Sequence, residues 1–505
     1  MDRKLTIFYT SDVHGFFAPV DYAKNCPAAR GLANCIANFR DDGNTLILDG
    51  GDTLQGSPFT YWLYSRTEEK SLVPAKLLNL GGYDFVTIGN HDFNYGVKEL
   101  ERYLEALNAR CLCANVKGLR GVEETAVVTL KNGLRIGLTG VTSQFVPCWE
   151  KAENIAGLRF SDAFEAARDA LEELKKQNVD LTLCIYHGGF ERDVETGAVL
   201  SATKENEGWR MCRELDFDIL LTGHQHMRIE NKCFGGTFTC QPPDKAGEYI
   251  RMDAAVDEGG KVSARSRLCP AGDLTPPEIA EYLEPLEKRA AAFLDTPLGH
   301  LDTDLPPAPP LDRALNGSLI ANFFNQVQLE VSGADISCTC LANHVRGFSR
   351  DVTVRDIAAS YVFPNTLKTI RVNRAVLKKA LERSAEYFAF DKNGEVCVSG
   401  SFLAPIEQHF NFDFLAGIEA VIDLRRAPGE RVVSILWQGK ELPEDRTLTM
   451  CLNNYRASGA GGYDFYAACE TVSENPEEIS ALIIAYVDRH REIVTDKTKW
   501  LQILY

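Results

Sequence analysis

Over residues 1–270 the chain alternates short apolar runs with longer stretches whose apolar residues recur at helical spacing. The runs LTIFYT (5–10), TLILD (45–49), DFVTI (84–88), RCLCAN (110–115), LRIGLTGV (134–141), LTLCIY (181–186) and FDILLT (217–222) predict strands. Between the fifth and sixth of these runs, AFEAARDALEELKKQ (163–177) predicts an amphipathic helix. Short strands alternating with helices predict a layered α/β domain with covered sheet faces. Residues 271–312 read differently: a loop and an amphipathic helix, AGDLTPPEIAEYLEPLEKRAAAFLD, lead into the Pro-rich DTDLPPAPPLD, which cannot continue a helix. This span is expected to be the linker helix and boundary between domains. Residues 313–505 mix helices (SLIANFFNQV, RAVLKKALERSAEYF) with strands (KTIRV, EAVIDL, RVVSILW), predicting a second, α+β domain.

Composition changes this picture little but narrows the partners. The chain has 505 residues, more than one hydrophobic core usually organises. Its formal charge of -17 argues against a polymeric nucleic acid or an anionic membrane as partner. An anionic small molecule would therefore need a local cationic device, such as bound metal. No run of about 18 apolar residues predicts a transmembrane helix. The opening MDRKLTIFYTSDVHG has no apolar leader region. Fifteen cysteines with no CxxC read as reduced, mostly buried thiols. Both features fit the cytoplasm, or the periplasm or exterior if a leader preceded this chain.

The candidate chemistry lies in the histidines. Of nine, five (His14, His91, His187, His224 and His226) precede residue 270, each just after a predicted strand. Their loops read SDVHG, GNHD, HGG and GHQH, joined by DGGDT after the second strand. Ligands of layered α/β folds bind beyond the carboxyl ends of strands, so these loops are expected to converge on one rim. Imidazole and carboxylate donors without thiolate suit Zn, Mn, Co, Ni or Fe rather than calcium. Asp12, His14, Asp52, Asn90, His187, His224 and His226 are too many for one tetrahedral ion. Two divalent ions sharing a carboxylate accommodate them, and such a pair polarises phosphoryl oxygens and activates water.

In that order, DxH, GD, GNHD, a lone His after a strand and GHxH resemble the calcineurin-like metallophosphoesterase superfamily. The resemblance implies a four-layer β-sandwich flanked by helices. It also implies one ion on Asp12, His14, Asp52 and His226, and another on Asp52, Asn90, His187 and His224. His91 would face the phosphate and stabilise the developing charge or protonate the leaving oxygen. The neighbouring ligand Asn90 would help neutralise the phosphoryl oxygens, while Asp92 and Asn94 would support them. Asp49 and Gln225 read as outer, structural residues.

The second half is similar to the C-terminal domain of the 5′-nucleotidase family, through YVFPNTL (361–367) and NNYRASGAGG (453–462). An aromatic ring from each loop can clamp a flat base, worth roughly 1–3 kcal/mol per base; the resemblance assigns Phe363 and Tyr455. Asn343 and Arg346 of LANHVRGF fall where the family places polar substrate contacts, in a shorter loop than usual. Several phrases, GNHDFNYG and QVQLEVSGADIS among them, look more like the 2′,3′-cyclic-nucleotide 2′-phosphodiesterase/3′-nucleotidase branch. In the 5′-nucleotidase branch the third residue after the catalytic His is typically Asp; here it is Asn94, an amide that orients the ring without adding charge. The leading expectation is a cyclic-nucleotide phosphodiesterase/3′-nucleotidase acting on small nucleotides. The alternatives are a 5′-nucleotidase or UDP-sugar diphosphatase, and more remotely a non-catalytic nucleotide-binding scaffold.

Overall fold

A computed structural model describes every residue except Met1, Ala23, 201–203, Pro364 and Pro405. Pro364 of the YVFPNTL motif therefore lies outside the described residues. The chain forms two compact units, Met1–Ala291 and Ala292–Tyr505.

In the first unit the apolar runs build two sheets. One has seven strands, in the order 262–270, 248–256, 3–10, 45–49, 85–86, 110–112 and 122–123. The other has six, in the order 229–234, 237–241, 219–222, 181–187, 135–142 and 125–129. Period-two alternation gives each inner strand one face toward the other sheet. Leu5, Ile7 and Tyr9 of the first sheet share a buried cluster with Leu183, Ile185, Ile219 and Leu221 of the second. On the other face of the first sheet, Phe8 stacks with Phe39, and Phe39 meets Tyr249 edge to face. The second sheet is covered by helix Ala163–Lys175, which buries Ala167, Ala170, Leu171 and Leu174 and is capped by the Asp162 carboxylate on Glu165 N. This is the expected sandwich of two sheets between helices.

The strand core is parallel: 3–10 pairs with 45–49, 45–49 with 85–86, and 135–142 with 181–187, itself paired with 219–222. Within each sheet the strands that carry candidate loops therefore present their carboxyl ends at one edge.

The second unit is built on a five-stranded sheet, ordered 413–416, 336–340, 447–453, 366–373 and 471–478. Helices Leu319–Ser332 and Ile479–His490 cover it, burying Phe323, Phe324, Val327, Ile483 and Val487. The Pro-rich stretch belongs to this unit: Leu305 exchanges both backbone hydrogen bonds with Phe348, and Pro310 opens helix Pro310–Asn316. All fifteen cysteines are free, with Cys111, Cys113, Cys338 and Cys340 buried. Among the described residues no helix is long and apolar enough to cross a membrane.

Arg456 is the polar keystone of this second core. Buried with Asp413, it gives that carboxylate a 3.0 Å hydrogen bond from Nε and donates to the carbonyls of Ala460 and Phe410. Its guanidinium also lies 4.1 Å from the Tyr463 ring centroid. Removing one partner of such a pair strands the other charge, which typically costs about 3–5 kcal/mol. Arg456→Leu is expected to lower the stability of the second unit by that amount, read from the denaturant midpoint of its transition.

Candidate active site

Tight turns at the ends of the parallel strands set up the site. Asp12, His14, Asp52, His224 and His226 all have positive φ, between 50° and 69°. They account for five of the twelve non-glycine residues in that region among those described. Left-handed backbone at a non-glycine residue carries strain of order 1–3 kcal/mol, which persists where surrounding structure over-determines it. Here Asp12 N donates to Gly51 O, His14 N to Asp52 O, and Lys245 N to Asp12 O. Two glycines allow the close approach. A Cβ on Gly89 would lie 2.1 Å from Asp52 Oδ1, and one on Gly223 2.8 Å from Asp12 Oδ2.

The turns aim the side chains into two groups of facing donors: Asp12, His14 and His226, and Asp52, His187 and His224. In the first, His14 Nε2 is 3.0 Å from His226 Nε2, and the two lie 3.9 and 3.4 Å from Asp12 Oδ1. In the second, His187 Nε2 is 3.2 Å from both Asp52 Oδ2 and Asn90 Oδ1, and His224 Nδ1 is 2.8 Å from Asn90 Oδ1. The groups meet at Asp52, whose Oδ2 also lies 3.8 Å from His14 Nε2. Ligand atoms about 2.0–2.1 Å from a four-coordinate ion stand roughly 3.3 Å apart, so these spacings fit shared coordination spheres.

Tautomers fit as well. His14 Nδ1 is 2.9 Å from Gln55 O and His187 Nδ1 2.7 Å from Gly50 O, so each Nδ1–H donates to a carbonyl. Each Nε2 then turns a lone pair inward, the usual arrangement of a metal-ligating imidazole. Electrostatics point the same way. Burial opposes charge on Asp52, but His187, His91 and His14 outweigh it and hold the carboxyl well below its usual range. Burial likewise opposes a proton on His187, but Asp52 and Asp12 raise it to about 10. The buried carboxylates require positive charge between them, and a divalent cation supplies it without a proton.

The remaining residues of the GNHD turn divide the work. Asp92 points away from the donors, and its oxygens accept from the backbone N–H groups of Asp52, Thr53, Leu54 and Gly89, each at 2.9 Å. His91 N donates to Asp52 Oδ1 at 2.7 Å, and its ring Nδ1 is 3.0 Å from Asn94 Oδ1. The His91 ring lies 5.4 Å from that of His14, next to the first donor group. Asp49 and Gln225 brace loops, Asp49 on Thr10, Gly51 and Thr53, and Gln225 on the Phe190 backbone.

Several contributors escaped the sequence reading. Glu205 lies 3.2 Å from His224 Nε2, Asp244 3.7 Å from His226 Nδ1, and Trp149 stacks on the His224 ring. Asp244 follows the strand Thr237–Gln241, so the strand-end signal that picked out the histidines applies to it too. Glu205 sits on an irregular loop and Trp149 at the end of the four-residue helix Val146–Trp149, and neither carries such a signal.

In the second unit, Leu367 pairs with Asn453 across antiparallel strands, and Thr366 N donates to Asn454 Oδ1 at 3.1 Å. The loop carrying Phe363 and the short helix Asn454–Ala457 carrying Tyr455 thus share one end of the sheet, where the parallel neighbour 336–340 also delivers Asn343. Phe363 is half-buried, 6.4 Å from Phe410 between ring centroids. Asn343 donates to Glu407 O, and exposed Arg346 lies 3.5 Å from Asp356.

Comparison with known proteins agrees with this geometry. The calcineurin-like phosphoesterase family matches residues 5–228, and the 5′-nucleotidase C-terminal domain matches residues 297–468. A crystal structure from Staphylococcus aureus, provisionally described as a 5′-nucleotidase in complex with alpha-ketoglutarate, is 35% identical with a TM-score of 0.90, covering 99% of this chain and 100% of that one. The 2′,3′-cyclic-nucleotide 2′-phosphodiesterase/3′-nucleotidase of Haemophilus influenzae is 26% identical over 91% of this chain and 80% of its own length. Mouse 5′-nucleotidase is 24% identical over 91% of this chain and 84% of its own length. Calcineurin-like phosphoesterases use divalent metals, for which the two donor groups are candidates. The chain belongs to the 5′-nucleotidase family of calcineurin-like metallophosphoesterases and is a hydrolase of phosphate esters.

Proposed function

We propose that this protein is a two-metal nucleotide phosphohydrolase that opens nucleoside 2′,3′-cyclic phosphates and removes the resulting 3′-phosphate. The observation that carries the phosphohydrolase reading is the meeting of the two donor groups at Asp52 Oδ2, within 3.2 Å of His187 Nε2 and 3.8 Å of His14 Nε2. Asp12, His14, Asp52 and His226 would hold one cation and Asp52, Asn90, His187 and His224 the other. When bound, divalent cations at such sites neutralise phosphoryl charge and activate water for in-line attack. His91, beside the first group, donates a proton to the departing ribose oxygen, a contribution worth roughly 10²–10⁴-fold in rate. Phe363 and Tyr455 would stack the base, with Asn343 and Arg346 as polar contacts. The cyclic/3′ branch is supported by the names of several relatives and by Asn94 standing where a 5′-nucleotidase typically has Asp. The 35% identical Staphylococcus aureus protein favours a second reading, a 5′-nucleotidase.

A panel of 2′,3′-cAMP, 3′-AMP, 5′-AMP and UDP-glucose, run with Mn, Zn, Co and Mg in turn, separates the readings. The first reading expects turnover of the cyclic and 3′ substrates to dominate; dominance of 5′-AMP would replace it with the second. His91→Ala is expected to lower kcat for 3′-AMP by about 100-fold or more while metal content stays at the wild-type value. Asp92→Ala would strand four backbone N–H groups, each buried unsatisfied donor costing about 1–3 kcal/mol. It should lower the melting midpoint and the metal retained after dialysis, whereas Asp92→Asn, which keeps one acceptor oxygen, should do so less.

A further inference from the structure

Asn94, which faces the His91 ring, is itself held. Its Nδ2 donates to Glu150 Oε2 at 2.5 Å. The other oxygen of Glu150 accepts from Lys151 N at 2.7 Å and from Asn154 Nδ2 at 2.9 Å. Asn154 Nδ2 closes the ring by donating to Asn94 O at 2.8 Å. Asn94, Glu150 and Asn154 are all half-buried, and none belongs to the donor groups around Asp52.

Hydrogen-bond polarity propagates along this chain of contacts. A carboxylate only accepts, so Asn94 must turn its NH₂ toward Glu150. That leaves Oδ1, also only an acceptor, toward the imidazole, and the imidazole must carry its proton on Nδ1. Nε2 is then the ring nitrogen that takes up a proton, and the resulting imidazolium hands that proton to the departing oxygen while its Nδ1–H stays on Asn94 Oδ1. A ring that accepts from an amide NH₂ at Nδ1 cannot form this imidazolium without losing that hydrogen bond. We propose that Glu150 is a positioning residue for the phosphoester reaction: through Asn94 it fixes the orientation and tautomer of His91. The proposal rests on the role given to His91 above. It assigns Glu150 a task that a neutral amide cannot perform, because three donors converge on its two acceptor oxygens and glutamine offers one.

E150Q is therefore the informative change, nearly isosteric and able to keep the Lys151 and Asn154 bonds through its oxygen. Its NH₂ would then face the NH₂ of Asn94, which relieves the clash by flipping and presents its own NH₂ to His91 Nδ1. The tautomer of His91 inverts. The double variant N94D/E150Q restores the pattern, since the new carboxylate accepts from both His91 Nδ1–H and the new amide.

The test reads ¹⁵N signals of selectively labelled histidine, with the His91 resonance identified by its loss in H91A, alongside kcat, KM, metal content and melting midpoint. The expected result for E150Q is a His91 ring protonated on Nε2 and a kcat lowered roughly 10- to 100-fold, with KM, metal content and melting unchanged. N94D/E150Q is expected to return the Nδ1–H tautomer and most of the rate. An E150Q protein with the wild-type tautomer and kcat within about twofold overturns the proposal. So does a double variant no better than E150Q, or a rate loss accompanied by metal loss or lower melting. Wild-type turnover by H91A would instead overturn the role of His91, while the tautomer signal still decides what Glu150 does.

Discussion

Asp52 is bound through every polar atom it has. Its N–H goes to Asp92, its carbonyl to His14 N, its Oδ1 to His91 N, and its Oδ2 faces the inward nitrogens of His14 and His187. Three of the four other loops that carry candidate ligands or the candidate acid are thereby tied to one buried residue. Burying a charge is expensive unless it is paired and hydrogen-bonded, so the arrangement is stable only if positive charge collects around Asp52. The histidines supply it in part, and a divalent cation on either side would complete it.

This constraint explains the strained backbone around it. A side chain that must point from a strand end back over the sheet rim needs a sharp turn, and Asp12, His14, Asp52, His224 and His226 make theirs at positive φ. Asp and His are among the residues that tolerate that region best. The strands beneath, paired in parallel and packed on a second sheet, are rigid enough to hold the strain. The fold thus contributes a fixed rim, and the loops contribute the chemistry.

Much of this was legible in the sequence because it obeys a period. Strands alternate, their ends are marked by Gly and Asp, and a histidine after each of several strands is informative once the strands are parallel. The run DFVTI shows the limit: only Phe85–Val86 forms strand. Thr87 still donates to Asp49 O, but its hydroxyl turns to Leu112 O and the chain leaves the ladder for the GNHD turn. Asp92 stands beside the candidate ligand Asn90 in sequence yet braces four backbone amides, a task set by direction and not by spacing. Glu150, Asn154 and Glu205 reach the site from irregular loops and Trp149 from a single helical turn, where no periodicity forecasts what a side chain will meet.

The central claim is that Asp52 joins two cation sites. Anomalous diffraction from crystals grown with Mn tests it most directly. The account predicts two anomalous peaks about 3.5–4 Å apart, one among Asp12, His14 and His226 and one among Asn90, His187 and His224, with Asp52 between them. A single peak, or a pair that Asp52 does not bridge, would contradict it.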